Sequence, residues 1–144
     1  MSTPFIRDRD SSRRMFIDVW KKYQTGGHLL PLEEMILQVI LSHPEYHSIL
    51  ADEETALGIE FSPEKGMTNP FLHMGMHISL QEQVVTDRPA GISKIYHQGV
   101  EITGSVHEFE HKMMECMGEA LWKAQQNNTL PDEDEYLECL RAII

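Results

Sequence analysis

The sequence predicts an all-α protein, a compact bundle of five or six helices in a single domain. Apolar residues recur at intervals of three and four along most of the chain, and no stretch shows the alternation typical of a strand. Capping residues and prolines stand where these periodic stretches begin. A chain of 144 residues is also the size of one domain. We therefore expect one domain over residues 1–144, in which residues 1–10 form a loose N-terminal arm.

The first half of the chain contains three predicted helices, each opened by a capping residue or a proline. They run from residues 10–12 to Tyr23, from Pro31 to about Ser42, and, as a short helix, from Pro44 to Leu50. Residues 52–68 are acidic, and Gly58, Pro63 and Gly66 interrupt any periodicity there. This stretch is predicted to be a loop that wraps the bundle.

The helix predicted over Asn69–Asp87 is the element around which we expect the others to pack. Asn69 is a good N-cap, and Pro70 suits the first helical position. His73 and His77 lie four residues apart on the same arc as the apolar side chains. Because a buried polar group without a partner is costly, two imidazoles on this arc need hydrogen bonds or a metal. This pair is the main indication of function.

Three more helices are predicted after the central one, so that six longer helices and the short one over residues 44–50 are predicted in all. They begin near Ile92, at Ser105 and at Pro131, and the one that Ser105 caps runs to Gln126. Since both Asn69–Asp87 and Ser105–Gln126 carry broad apolar arcs, we expect these two helices to pack against each other.

The charge of the chain excludes some classes of partner. Twelve Lys and Arg stand against 23 Asp and Glu, a net charge of −11. Such a protein repels phosphate and attracts cations, so we expect no nucleic-acid partner. The apolar runs are too short for a membrane span, and the N-terminus lacks the apolar core of a signal peptide. We expect a cytoplasmic protein with no membrane partner, and leave a protein partner or a homo-oligomer open.

The two cysteines, Cys116 and Cys139, both lie in predicted helices. Two cysteines in a chain of this size do not make a disulfide framework. They are therefore predicted to be free thiols in a reducing compartment, with Cys116 buried and inert.

Four segments together resemble a bacterial family catalogued as domain of unknown function 1841. The segments are HPEYH (43–47), NPFLHMGMH (69–77), QEQVVTDRPAGI (81–92) and HKMMECMGEALWKAQ (111–125). The resemblance spans the chain from Phe16 to the C-terminal YLECLR. It implies a soluble bacterial protein, and it implies no activity and no catalytic residue.

A second group of titratable side chains lies on the helix over Ser105–Gln126. His107, His111 and Glu115 share one face, and Glu110 projects into the apolar arc, where a carboxylate must be protonated, paired or bound to a cation. Imidazole and carboxylate ligands suit zinc, iron or manganese. The predicted site comprises His73, His77, His111 and Glu115, completed by His47, His107 or Glu110.

Two alternatives to this metal bundle stay open. In the first, the histidines are hydrogen-bonded core residues of a structural or protein-interaction module that has no cofactor. In the second, HEFEH at residues 107–111 is the HExxH motif of a zinc hydrolase, in which both histidines bind zinc and Glu108 activates water. That motif needs a third ligand, and the sequence shows no recognisable one downstream.

Overall fold

The computed structural model describes residues 9–61 and 69–144. In these two ranges the protein is all-α, as predicted, and contains no strand. Eight α-helices are described where we expected five or six, and a 3₁₀ turn over Pro44–Tyr46 precedes the third. The helices are α1 (Arg9–Gln24), α2 (Pro31–Leu41), α3 (His47–Ala51), α4 (Glu53–Gly58), α5 (Pro70–Thr86), α6 (Ile92–Thr103), α7 (Val106–Asn127) and α8 (Glu133–Ala142).

Helix α4 corrects the predicted loop over residues 52–68. The Asp52 carboxylate accepts hydrogen bonds from the Thr55 amide and hydroxyl, at 3.2 and 2.8 Å, and so caps the helix. These hydrogen bonds lower the pKa of Asp52. The rest of the predicted loop, residues 62–68, lies outside the described residues, as does most of the predicted N-terminal arm, residues 1–8.

The chain divides into two compact units, residues 1–78 and 79–144, so the boundary falls inside α5. A single domain over the whole chain therefore stays a prediction. Every helix in the described ranges is too short or too polar to cross a lipid bilayer.

The first unit packs α1 to α4 and the first half of α5 around one apolar core. Its most buried large side chains are Phe16, Ile17, Ile36, Ile40, Met74 and Ile78. Lys22 of α1 lies 2.8 Å from the Glu33 carboxylate of α2, and this contact lowers the pKa of Glu33. Buried Arg13 donates to the carbonyls of Ala56 and Ile59, at 2.9 and 2.7 Å. Arg13 thereby binds the carbonyl of Ala56, in the last turn of α4, and that of Ile59, which follows the helix.

The second unit packs α6, α7 and α8 against one another. Gly99 of α6 faces the ring of Phe109 on α7, and a Cβ placed there would lie 2.0 Å from that ring. Cys116 of α7 and Cys139 of α8 form a disulfide, with Cα atoms 5.8 Å apart. The prediction of free thiols is therefore wrong. The physical reason is that the apolar arc of α7 which carries Cys116 faces α8, at a spacing ordinary for a disulfide.

Candidate metal centre

Three histidine rings of the first unit lie against one another. The ring centroid of His43 is 5.0 Å from that of His73 and 4.9 Å from that of His77. The centroids of His73 and His77 are themselves 4.9 Å apart. Only 2% of the surface of His43 and of His77 is exposed, and His73 is half-buried. The structure thus brings the predicted pair together and adds His43, which the predicted set lacked.

His43 reaches this cluster from the end of α2. Its Nδ1 lies 2.7 Å from the carbonyl oxygen of Val39. Because a carbonyl only accepts, the hydrogen-bond network assigns the ring proton to Nδ1 and leaves the lone pair on Nε2. A histidine that binds a metal commonly donates its other ring N–H to a backbone carbonyl in this way. The sequence contains one indication that His43 is buried: residues 36, 39, 40 and 43 share the helical spacing that places them on one face of α2.

His73 and His77 lie one turn apart on α5. Their Nε2 atoms are 3.3 Å apart, so one ring donates and the other accepts when both are neutral. His77 is buried because it follows the same stripe as Met74 and Ile78, which are fully buried. The i,i+4 spacing therefore produces the contact that the sequence predicted.

His47 has different partners. Its Nε2 donates to the carbonyl of Ile40 at 2.9 Å, and its ring packs on Trp20 with the centroids 4.3 Å apart. Since the Nε2 proton is used on a backbone carbonyl, the lone pair of a neutral His47 ring lies on Nδ1.

In the second unit, His107 and His111 lie on the first turns of α7. Their ring centroids are 4.1 Å apart and both side chains are half-buried. The Ser105 hydroxyl accepts a hydrogen bond from the Glu108 amide at 3.1 Å and fixes the start of this helix. Glu115, one turn further along, is exposed, and so is Glu108 of the HEFEH motif.

Glu110 is a carboxylate buried in the second unit, with 2% of its surface exposed. The Tyr96 hydroxyl donates to its Oε2 at 2.6 Å, and Gln81 Nε2 donates to its Oε1 at 3.3 Å. Burial, and then this hydrogen bond and the carboxylate charge, raise the pKa of Tyr96 well above its ordinary value. Tyr96 therefore stays protonated and remains a donor. It is a partner of the kind that the sequence analysis expected for Glu110.

Each unit holds histidines whose ring nitrogens are close enough to act as ligands of one metal ion. In the first unit a ring nitrogen of His43 lies within 4.8 Å of one of His77, and in the second unit the same is true of His107 and His111. His77, His107 and His111 are among the residues predicted from the sequence, whereas His43 is not.

An all-α fold that carries buried histidines defines a candidate metal-binding helical protein. The chain belongs to the family described as "Domain of unknown function (DUF1841)", whose model matches residues 8–142. This match confirms the resemblance seen in the four sequence segments. No curated protein and no solved structure is significantly similar to the chain.

Proposed function

We propose that the protein binds one divalent transition-metal ion through His43, His73 and His77 of the first unit. The observation that supports this proposal is that the ring centroids of these three histidines lie 4.9 to 5.0 Å from one another. The Nε2 atoms of His73 and His77 are 3.3 Å apart, and two nitrogens about 2.0–2.1 Å from a tetrahedral zinc ion are about 3.4 Å apart. These two rings therefore already have the separation of two zinc ligands.

The ligand chemistry favours zinc. Imidazoles are neutral nitrogen donors, which suit zinc and copper, whereas manganese prefers carboxylate oxygens. Three protein ligands leave the fourth position of a tetrahedral shell to a water molecule or to a further side chain. An open position by itself names no reaction, and we infer that the ion stabilises the fold or is carried by the protein.

His107 and His111 of the second unit are a separate pair of candidate ligands, whose ring nitrogens lie within 4.8 Å of each other. The set predicted from the sequence, with His73 and with Glu115 as an exposed carboxylate ligand, would favour iron or manganese more strongly. We further infer, from the family resemblance and the acidic composition, a bacterial cytoplasmic protein with no nucleic-acid or membrane partner.

The proposal is tested by the metal content of protein purified without a His-tag and by zinc titration against a competing chelator. We expect about one equivalent of metal in the wild type and a loss of at least tenfold in affinity in His77→Ala. His28→Ala, which removes an exposed histidine, is the matched control and keeps full affinity.

Wild-type protein that carries no metal and takes up no zinc, iron or manganese would contradict the proposal. The histidines would then be hydrogen-bonded core residues. The hydrolase alternative is distinguished by Glu108→Gln, which keeps the metal in either case and abolishes hydrolysis only if Glu108 is the general base.

A further inference from the structure

The disulfide between Cys116 and Cys139 forms part of the wall of a cavity. This cavity has a volume of about 560 Å³ and lies between α7 and α8 of the second unit. The rest of its wall comes from the same two helices and from residues 129, 130 and 132 of the connection between them. A small molecule that enters the cavity therefore meets the disulfide directly.

The two cysteines are not equally exposed. Cys116 is 2% exposed, whereas Cys139 is half-buried. A thiolate must approach one sulfur along the S–S axis and expel the other. Cys139 is the more exposed half of the disulfide, and attack at its Sγ expels Cys116 as the leaving thiolate.

The cavity is strongly acidic. Its charged wall residues are four carboxylates and one ammonium, which leave three net negative charges: Glu119, Asp132, Glu135, Glu138 and Lys123. The Lys123 ammonium is already paired, at 3.3 Å from Glu119 and 3.4 Å from Glu135. A cationic thiol is thus attracted to this cavity and an anionic thiol is repelled.

We propose that this cavity is a thiol–disulfide exchange site that selects small cationic thiols. The thiolate of the first thiol attacks Sγ of Cys139, the bond to Cys116 breaks, and its electron pair leaves on Cys116 Sγ, which then takes a proton. A second thiolate attacks the sulfur of the bound thiol, forms the small disulfide and releases Cys139 as a thiolate. The protein disulfide gains two electrons, and the two thiols lose them. The reaction removes the covalent link between α7 and α8.

The test compares reduction of the protein by cysteamine, a cationic thiol, and by 3-mercaptopropionate, an anionic one. The protein is first oxidised with cystamine, and reduction is followed by iodoacetamide quenching and intact mass. Rate constants are expressed per thiolate, and the ratio of the cationic to the anionic constant is measured. Comparing this ratio between proteins cancels the intrinsic reactivity of each thiol.

We expect the ratio to fall about threefold in Glu135→Gln/Glu138→Gln, which removes two wall charges. The matched control, Glu101→Gln/Glu133→Gln, removes two exposed charges outside the wall and keeps the wild-type ratio. In the wild type alone, raising NaCl from about 20 mM to about 1 M should lower the ratio about fivefold. Peptide mapping of the acid-quenched mixed disulfide should find cysteamine on Cys139.

Three results would overturn the proposal. The first is a ratio that salt leaves unchanged, or that falls equally in the wall variant and in the matched control. The second is cysteamine found on Cys116 instead of Cys139. The third is a cystamine-treated protein that still holds two free thiols. The salt series uses the wild-type protein alone, so it tests the proposal even if the double variant does not fold.

Discussion

The Nδ1 atom of His43 lies 2.7 Å from the carbonyl oxygen of Val39, four residues earlier on α2. His47 shows the opposite arrangement, because its Nε2 lies 2.9 Å from the carbonyl oxygen of Ile40. Two neighbouring histidines therefore hold their protons on different nitrogens. Only His43 presents Nε2 as the lone-pair nitrogen, and it belongs to the group that could hold a metal.

This difference predicts the tautomers of the two rings in metal-free protein. Long-range ¹H–¹⁵N spectra above pH ~8, where imidazoles are neutral, should show His43 as the Nδ1–H tautomer and His47 as the Nε2–H tautomer. His47 serves as the internal control, since both rings are read from one spectrum. An Nε2–H tautomer for His43 would contradict the hydrogen bond to Val39.

Gly99→Ala tests the contact between α6 and α7. The added Cβ would lie 2.0 Å from the Phe109 ring, so we expect a loss of about 1–3 kcal/mol in the free energy of unfolding. Gly118→Ala is the matched control, because nothing lies within 4 Å of the added Cβ. That control should stabilise the protein by about 0.5–1 kcal/mol through helix propensity. Urea unfolding measures both, and equal effects would show that α6 and α7 do not approach closely at Gly99.

The substitution Tyr96→Phe tests whether the Tyr96 hydroxyl stabilises the buried Glu110 carboxylate. The variant removes the 2.6 Å hydrogen bond to Glu110 and leaves the carboxylate with weaker donors. We expect a loss of about 1–3 kcal/mol in urea unfolding. Tyr23→Phe, at a tyrosine that is 46% exposed, should change stability by less than about 0.5 kcal/mol. Similar small effects of both substitutions would mean that Glu110 does not depend on Tyr96.

Because the hydroxyl of Tyr136 is buried, we expect the protein to lose stability at alkaline pH. Burial raises the pKa of Tyr136 well above the ordinary value of 10.0, and its hydroxyl donates to Gln83 at 2.9 Å. Above about pH 10 the unfolded chain loses this proton while the folded protein keeps it, so stability falls as pH rises and is unaffected below that range.

The measurement is the difference in unfolding free energy between wild type and Tyr136→Phe at two pH values. From pH 8 to pH 11 the advantage of the wild type should shrink by about 1 kcal/mol. A difference that stays constant with pH would show that Tyr136 titrates normally in the folded protein.

The long helices could be predicted because their caps are local. Asn69 accepts hydrogen bonds from the amides of Phe71 and Leu72, and Ser105 caps α7 as predicted. Asp132, the residue after the predicted start at Pro131, caps α8. Helix α4 was missed because its six residues are too few to show a period.

The site was predictable only in part, because its remaining features depend on tertiary contacts. The pair His73 and His77 follows from the spacing within one helix. The predicted set lacks His43 because the residue before a proline is biased away from helical geometry, although the apolar face of α2 extends to it. The disulfide depends on which face of α7 meets α8, and the spacing of two cysteines in sequence does not reveal that.

The coordination shell of the zinc-loaded protein tests the central claim most directly. X-ray absorption at the zinc edge, on protein purified without a His-tag, reports the number and type of ligand atoms. We predict three imidazole nitrogens at about 2.0 Å, with the outer-shell scattering of their rings, reduced by one ring in His43→Ala and unchanged in His28→Ala. A shell of oxygen atoms only, or one that contains sulfur, would contradict the site formed by His43, His73 and His77.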